Sequence, residues 1–140
     1  MNIETLQYIP EYKSLDAAGM DLHAFIPEGK LVIKPGETVK IRTGLKVEIP
    51  KGYFGAIYPR SSVGTKKHLM LANTVGVIDS DYRGELATFF YNYGGEEILI
   101  KNGDRLSQLI IQPYEQVTIK CVDELSETER GEGGFGSTDV

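Results

Sequence analysis

The sequence predicts an all-β domain, a barrel or sandwich of short strands, and three observations carry that reading. Sixteen Gly and six Pro punctuate short apolar or alternating runs, a spacing that suits strands joined by tight turns. No apolar stripe of helical period runs for a useful length. In Thr38-Val39-Lys40-Ile41-Arg42-Thr43-Gly44-Leu45-Lys46-Val47-Glu48-Ile49, apolar and polar side chains alternate on both sides of Gly44. That period of two marks a half-buried strand, and the glycine inside it marks a bend or bulge.

The other elements follow in order. Pro35-Gly36 and Pro50-Lys51-Gly52 place turns at either end of that alternating run. Further strands are expected over 53–58, 85–93, 97–100, 105–112 and 116–122, separated by Asn92-Tyr93-Gly94-Gly95, Asn102-Gly103-Asp104 and Pro113. One helical turn or two is expected after Ser61-Ser62. From Ser126 the sequence SETERGEGGFGSTDV is polar and rich in Gly, so it cannot bury enough apolar area to order itself. The organisation expected is therefore one domain over 1–125 and a flexible tail over 126–140.

Composition narrows the function classes. A chain of 140 residues, 41% hydrophobic and 25% charged, suits a single core. A net charge of −5 argues against nucleic acid as the main partner, because that binding depends on Lys and Arg neutralising phosphates. One cysteine, Cys121, supports neither an intramolecular disulfide nor a thiolate metal site and suits a reducing compartment. The first 16 residues carry early acids without an apolar run of signal length, and no segment approaches the roughly 20 apolar residues of a membrane span. A cytoplasmic protein without membrane attachment is expected. His23 and His68 have no further ligands at zinc spacing and read as ordinary strand and loop residues.

Five segments carry chemistry. Ala18-Gly19-Met20-Asp21-Leu22-His23-Ala24 comes first, and Pro59-Arg60-Ser61-Ser62-Val63-Gly64 joins a strand to a helical turn. Asn73-Thr74-Val75-Gly76-Val77-Ile78-Asp79-Ser80-Asp81-Tyr82-Arg83-Gly84 sets two carboxylates and an aromatic at a turn after an apolar strand. Gly103-Asp104-Arg105-Leu106-Ser107-Gln108-Leu109 and Arg130-Gly131-Glu132-Gly133-Gly134-Phe135-Gly136-Ser137-Thr138 complete the set. Each has a bland alternative. Asp and Gly are common at solvated turns, Ser61 can serve as a helix cap, Gln108 can face the open side of a strand, and a Gly-rich terminus can be idle.

Together and in this order, the five segments resemble the motifs of the homotrimeric dUTPases, from Ala18 to Thr138. The resemblance implies a jelly-roll-like β-barrel, a homotrimer with shared active sites, and hydrolysis of dUTP to dUMP and pyrophosphate. Asp79 would orient and deprotonate the water that attacks the α-phosphorus, since a carboxylate can accept the proton as the bond forms. Tyr82 would stack on the deoxyribose and leave no room for a 2′-hydroxyl. Asn73 and the main chain of a hairpin through Gly76, Val77 and Ile78 would hold uracil in a slot too tight for a 5-methyl group. Arg60, Ser61 and Ser62 would meet phosphate oxygens. Ser62 stands where the family commonly has Gly, which sets a side chain beside the phosphates. Gln108 would reach the phosphates and the catalytic water, while Asp21 would act near the metal and phosphates or hold Arg60. Mg²⁺ would be carried mainly by the triphosphate and water, with no direct protein ligand. In the tail, Arg130 would meet the terminal phosphate and Phe135 would stack on uracil. Gly131, Gly133, Gly134 and Gly136 would let the closing main chain approach the ligand, and Ser137 would join the substrate contacts.

Three other readings remain open at this level. A dCTP deaminase, or a bifunctional deaminase-dUTPase, shares the barrel and often has Arg-Ser-Ser. It also needs a Glu on the strand after the third motif, where residues 87–91 have none and Glu85 is the nearest acid. A nucleotide-dependent regulatory binding module could use the same fold and keep its motifs. A purely structural barrel would not need Arg130 and Phe135 among glycines.

Overall fold

The computed structural model describes residues 1–73 and 75–134. Its strands are β1 (Asn2–Thr5), β2 (Met20–His23), β3 (Lys30–Ile33), β4 (Thr38–Arg42), β5 (Leu45–Glu48) and β6 (Tyr53–Pro59). After the helix α1 (Ser61–Lys67) come β7 (Leu69–Leu71), β8 (Gly76–Ile78), β9 (Ala87–Asn92), β10 (Ile98–Lys101) and β11 (Arg105–Pro113). The ladders form β1-β5, β10-β3, β4-β9-β7 and the four-stranded β2-β11-β6-β8. The described residues are mostly β with one short helix, in agreement with the sequence.

The inward positions of these strands make one core, with Ile33, Ile41, Leu45, Leu69, Phe90, Ile100 and Leu109 at or near zero exposure. Gly44 does break the alternating run: its φ of +66° separates β4 from β5, and a Cβ there would press on Leu6 and Phe25 at 3.2 Å. Asn92 is buried in this core, yet its amide is fully engaged. It donates to the Ile33 and Glu96 carbonyls at 3.0 and 2.8 Å and accepts from the Gly94 N–H at 2.9 Å, as a buried amide requires.

Two expectations need correction. Residues 116–122 form no strand, although Val117 and Ile119 alternate with polar neighbours; both are strongly exposed. Pro113 ends β11, and the next main-chain contact, Tyr114 N–H to the Gly52 carbonyl at 3.2 Å, is not followed by a partner strand. Alternation without a ladder does not make a strand. The second correction concerns the segment through Gly76, Val77 and Ile78. It was expected as a hairpin, but β8 pairs with β6, Gly76 opposite Ile57 and Ile78 opposite Gly55, and β7 pairs across to β9. The chain leaves one sheet, serves as edge strand of another, and returns. Strands β1, β3 and β7 were not anticipated, and β2 was foreshadowed only by the strand reading of His23.

Candidate functional site

The four-stranded sheet interleaves the sequence segments. Its order β2-β11-β6-β8 sets the first segment beside the fourth and the fourth beside the start of the second at Pro59, while the third pairs with Gly55–Ile57, earlier on β6. Gln108 on β11 lies opposite Asp21 on one side and Tyr58 on the other. The N–H of Asp21 bonds to the Glu11 carbonyl at 3.1 Å, and its carboxylate is buried at 9% side-chain exposure. Two guanidiniums compensate it: Arg105 Nη1 reaches Oδ2 at 2.9 Å and Arg60 Nε reaches Oδ1 at 3.2 Å. One carboxylate against two guanidiniums leaves a net positive charge, and both arginines keep more than 30% exposure. Such a pair can still receive an anion.

Arg60 is also the cap residue of α1, extended at φ −73° and ψ 147°, without a side-chain cap bond. Ser61 is therefore the first helical residue and does not act as the cap. Ser61 and Ser62 are exposed at this end, while Val63 is buried and anchors the turn. Gln108 Nε2 donates to the Pro59 carbonyl at 3.3 Å, and its Oε1 faces Gly19, where a Cβ would stand 2.5 Å away. Gly19 thus gives Gln108 its space. Gly19→Ala is expected to displace the flexible amide and lower turnover about tenfold or more, with Tm changed by only a few degrees; kcat beside a thermal melt checks this.

The Asp79 group lies elsewhere. Ile78 pairs with Gly55 near the start of β6, whereas Arg60 follows its end. At roughly 3.3 Å per residue, the two groups stand on the order of 15–20 Å apart in one chain. Asp79 is exposed and lines an open cavity of about 660 Å³ with Ser80, Asp81, Lys51, Gly52, Tyr114 and Gln116. Tyr82 closes the turn with its N–H on the Asp79 carbonyl at 3.1 Å. Arg83 Nη1 donates to the Ser80 and Tyr82 carbonyls at 2.8 and 3.1 Å. Asn73 is exposed just ahead of β8. Where this segment rejoins the barrel, Glu85 accepts Arg42 Nη2 at 2.8 Å and the Gly44 N–H at 2.9 Å. Arg42, hydrogen-bonded to it, holds its carboxyl below the usual carboxylate range. That stabilisation is complete above the ordinary carboxylate pKa and is lost as pH falls through the lowered one. His23 packs on Tyr8 with ring centroids 4.9 Å apart, and burial pushes its pKa down.

Arg130 is exposed and bonds its own turn, Nε to the Gly133 carbonyl at 2.9 Å. Phe135, Gly136 and Ser137 lie outside the described residues. Among the described residues no three His, Cys, Asp or Glu groups gather as a metal site.

The dUTPase family profile matches residues 7–139. The chain belongs to the dUTPase family. The deoxyuridine 5′-triphosphate nucleotidohydrolase of Escherichia phage T5 is 55% identical over 135 residues, 93% of this chain and 90% of that protein. Among solved dUTPases, a mutant from Staphylococcus bacteriophage 80alpha with dUpNHpp superposes with a TM-score of 0.87 at 30% identity. It covers 99% of this chain and 98% of its own. A mutant dUTPase from phage phi11 of S. aureus, described as coordinating a structural Mg(II) ion, superposes with a TM-score of 0.80 at 26% identity, covering 90% and 98%.

Within this dUTPase fold, the roles of four residues escaped the sequence reading. Arg105 lay inside a quoted segment, but its pairing with Asp21 spans 84 positions, and no local pattern announces it. Gly19 looked like turn punctuation, and its use depends on Gln108 across the sheet. Arg42 and Glu85 read as the polar side of strands. Only the preference of buried charges for partners could have hinted at such pairs.

Proposed function

We propose that this dUTPase-family chain hydrolyses dUTP to dUMP and pyrophosphate by attack of water at the α-phosphorus. The reaction limits uracil incorporation into DNA and supplies dUMP for thymidylate synthesis. The observation that carries the reading is Asp21 between Arg60 and Arg105 with Gln108 alongside. It is a preformed, net-positive polar cluster in a chain whose relatives are named for this reaction. Arg60, Ser61 and Ser62 receive the phosphates, and Asp21 keeps the guanidinium aimed. Asp79 acts as general base on water, and Gln108 helps hold that water and the phosphates. Uracil presents acceptor, donor and acceptor in a row. The outer side of edge strand β8, at Gly76, Val77 and Ile78, offers main-chain N–H and C=O groups that can match it, with Asn73 at its entrance and Tyr82 against the sugar.

Mg²⁺ fits this donor set as an ion brought by the nucleotide. Both oxygens of Asp21 are engaged by arginines and no further ligand cluster stands among the described residues, so phosphate oxygens and water would supply its coordination. When bound, it neutralises phosphate charge and favours departure of pyrophosphate.

The working form we propose is a homotrimer with shared sites. Asp79 and Arg60 stand too far apart in one chain to serve one nucleotide, and the segment after β11 exposes Val117, Ile119, Val122 and Leu125, an apolar series suited to a neighbour. Residues 1–125 form the barrel domain and 126–140 a lid, with Arg130, Phe135, Gly136 and Ser137 closing over the ligand. Deleting residues 130–140 is expected to slow hydrolysis by at least tenfold while sedimentation still reports a trimer; unchanged kinetics would make the tail idle. The setting is cytoplasmic, without nucleic acid or membrane partners. Among the described residues no helix is long and apolar enough to cross a membrane.

The deciding assay is pyrophosphate release with Mg²⁺ from dUTP, dCTP, dTTP and UTP in parallel, with ammonia followed in the dCTP sample. Release confined largely to dUTP is expected. Ammonia would indicate a deaminase, although Glu85, the nearest acid for that chemistry, is already held by Arg42 and Gly44. Silence throughout would indicate a binding module.

A further inference from the structure

A steric filter refuses a substrate only as firmly as its own side chain resists being moved aside. Tyr82 is 45% exposed, so packing alone does not fix its ring, and a loose ring could yield to a 2′-hydroxyl by a small displacement from its rotamer. The structure supplies a tether. Tyr82 Oη donates to the Glu85 carbonyl at 3.2 Å, and the second of the two residues between them is Gly84, where a Cβ would overlap the tyrosine hydroxyl.

The anchor of that tether is itself fixed. Arg42 pairs with the Glu85 carboxylate through Nε at 3.0 Å and Nη2 at 2.8 Å, with its guanidinium carbon 5.2 Å from the centroid of the Phe25 ring. The Gly44 N–H, at the bend between β4 and β5, adds a bond of 2.9 Å. One residue on, the Leu86 N–H bonds to the Leu45 carbonyl at 2.8 Å, and Thr43 Oγ1 donates to the Leu86 carbonyl at 2.6 Å.

We propose that Glu85, clamped by Arg42 and Gly44, is a positioning residue for sugar selection, holding the Tyr82 ring through its main-chain carbonyl so that the ring cannot give way to a 2′-hydroxyl. The proposal rests on the dUTP-hydrolase reading above. Glu85 touches no substrate; it acts through Tyr82.

The test compares kcat/KM for dUTP and UTP, together with Tm, in the full-length protein and three variants. Tyr82→Phe keeps the ring and removes the tether. Glu85→Gln keeps an acceptor for Gly44 but loses the charged fork, and Arg42→Lys loses the planar fork while keeping the charge. The UTP-to-dUTP ratio is expected to rise about tenfold in Tyr82→Phe and roughly threefold or more in the other two, on the scale of one lost hydrogen bond. A lowered Tm with an unchanged ratio in all three would overturn the proposal and leave Glu85 a purely structural residue. If Glu85→Gln fails to fold, the Tyr82→Phe ratio decides alone. A parent protein that cleaves neither nucleotide brings down the hydrolase reading and this proposal with it; dUTP cleavage with fixed ratios in the variants brings down only the proposal.

Discussion

Asp79→Asn is expected to lower kcat for dUTP by about 10²–10⁴-fold, the usual share of a positioned general base, while leaving the dissociation constant of a non-hydrolysable dUTP analogue within about threefold. The asymmetry follows from where the carboxylate sits. Asp79 is exposed at the end of β8 and accepts the turn-closing Tyr82 N–H through its main chain. The amide variant is nearly isosteric and leaves that turn intact. What disappears is proton acceptance, which the transition state needs and the bound ground state does not. Single-turnover kinetics beside calorimetric titration separate the two quantities. Turnover near the parent rate would remove Asp79 from the role of base.

Asp21→Ala is expected to damage stability and turnover together. Its removal leaves Arg60 and Arg105 without their shared counter-charge inside the sheet. Breaking a fully buried pair costs about 3–5 kcal/mol. Because both guanidiniums reach solvent, about 2–3 kcal/mol is expected here, seen as a fall in Tm of roughly 6–12 °C. Turnover should fall by well over tenfold even at temperatures where the variant remains folded, because Arg60 loses the carboxylate that aims it. Asp21→Asn, which keeps an acceptor, should lose less stability. A variant with normal Tm and normal kcat would show that the two arginines need no such partner.

The legible part of this molecule was its local grammar. Alternation around Gly44 foretold β4, the bend and β5, because side-chain period and glycine conformation are properties of adjacent residues. The helical turn after Ser61 and the strands at β6, β9, β10 and β11 were readable for the same reason. Residues 116–122 failed where the same grammar has no force, since a strand also needs a neighbour to pair with. The segment ending at Ile78 failed because its turn residues fit a hairpin, while pairing with β6 was decided by tertiary contacts. At the site, Asp79, Gln108 and Arg60 were marked by the resemblance of their segments to the dUTPase motifs. Arg105, Gly19 and Glu85 acquire meaning only from partners across sheets or strands, Arg105 from one 84 positions away.

The interleaved order β2-β11-β6-β8 also bears on how the protein is made. Met20–His23 can find its ladder partner only when Arg105–Pro113 has been synthesised, so β2 waits with no more than its bridge to Glu11 while most of the chain leaves the ribosome. Closure of that sheet joins residues distant in sequence, the kind of contact that slows folding. The Asp21 cluster therefore cannot exist on a nascent chain truncated before β11: a stalled or prematurely ended product carries Asp79 but has no competent phosphate cluster.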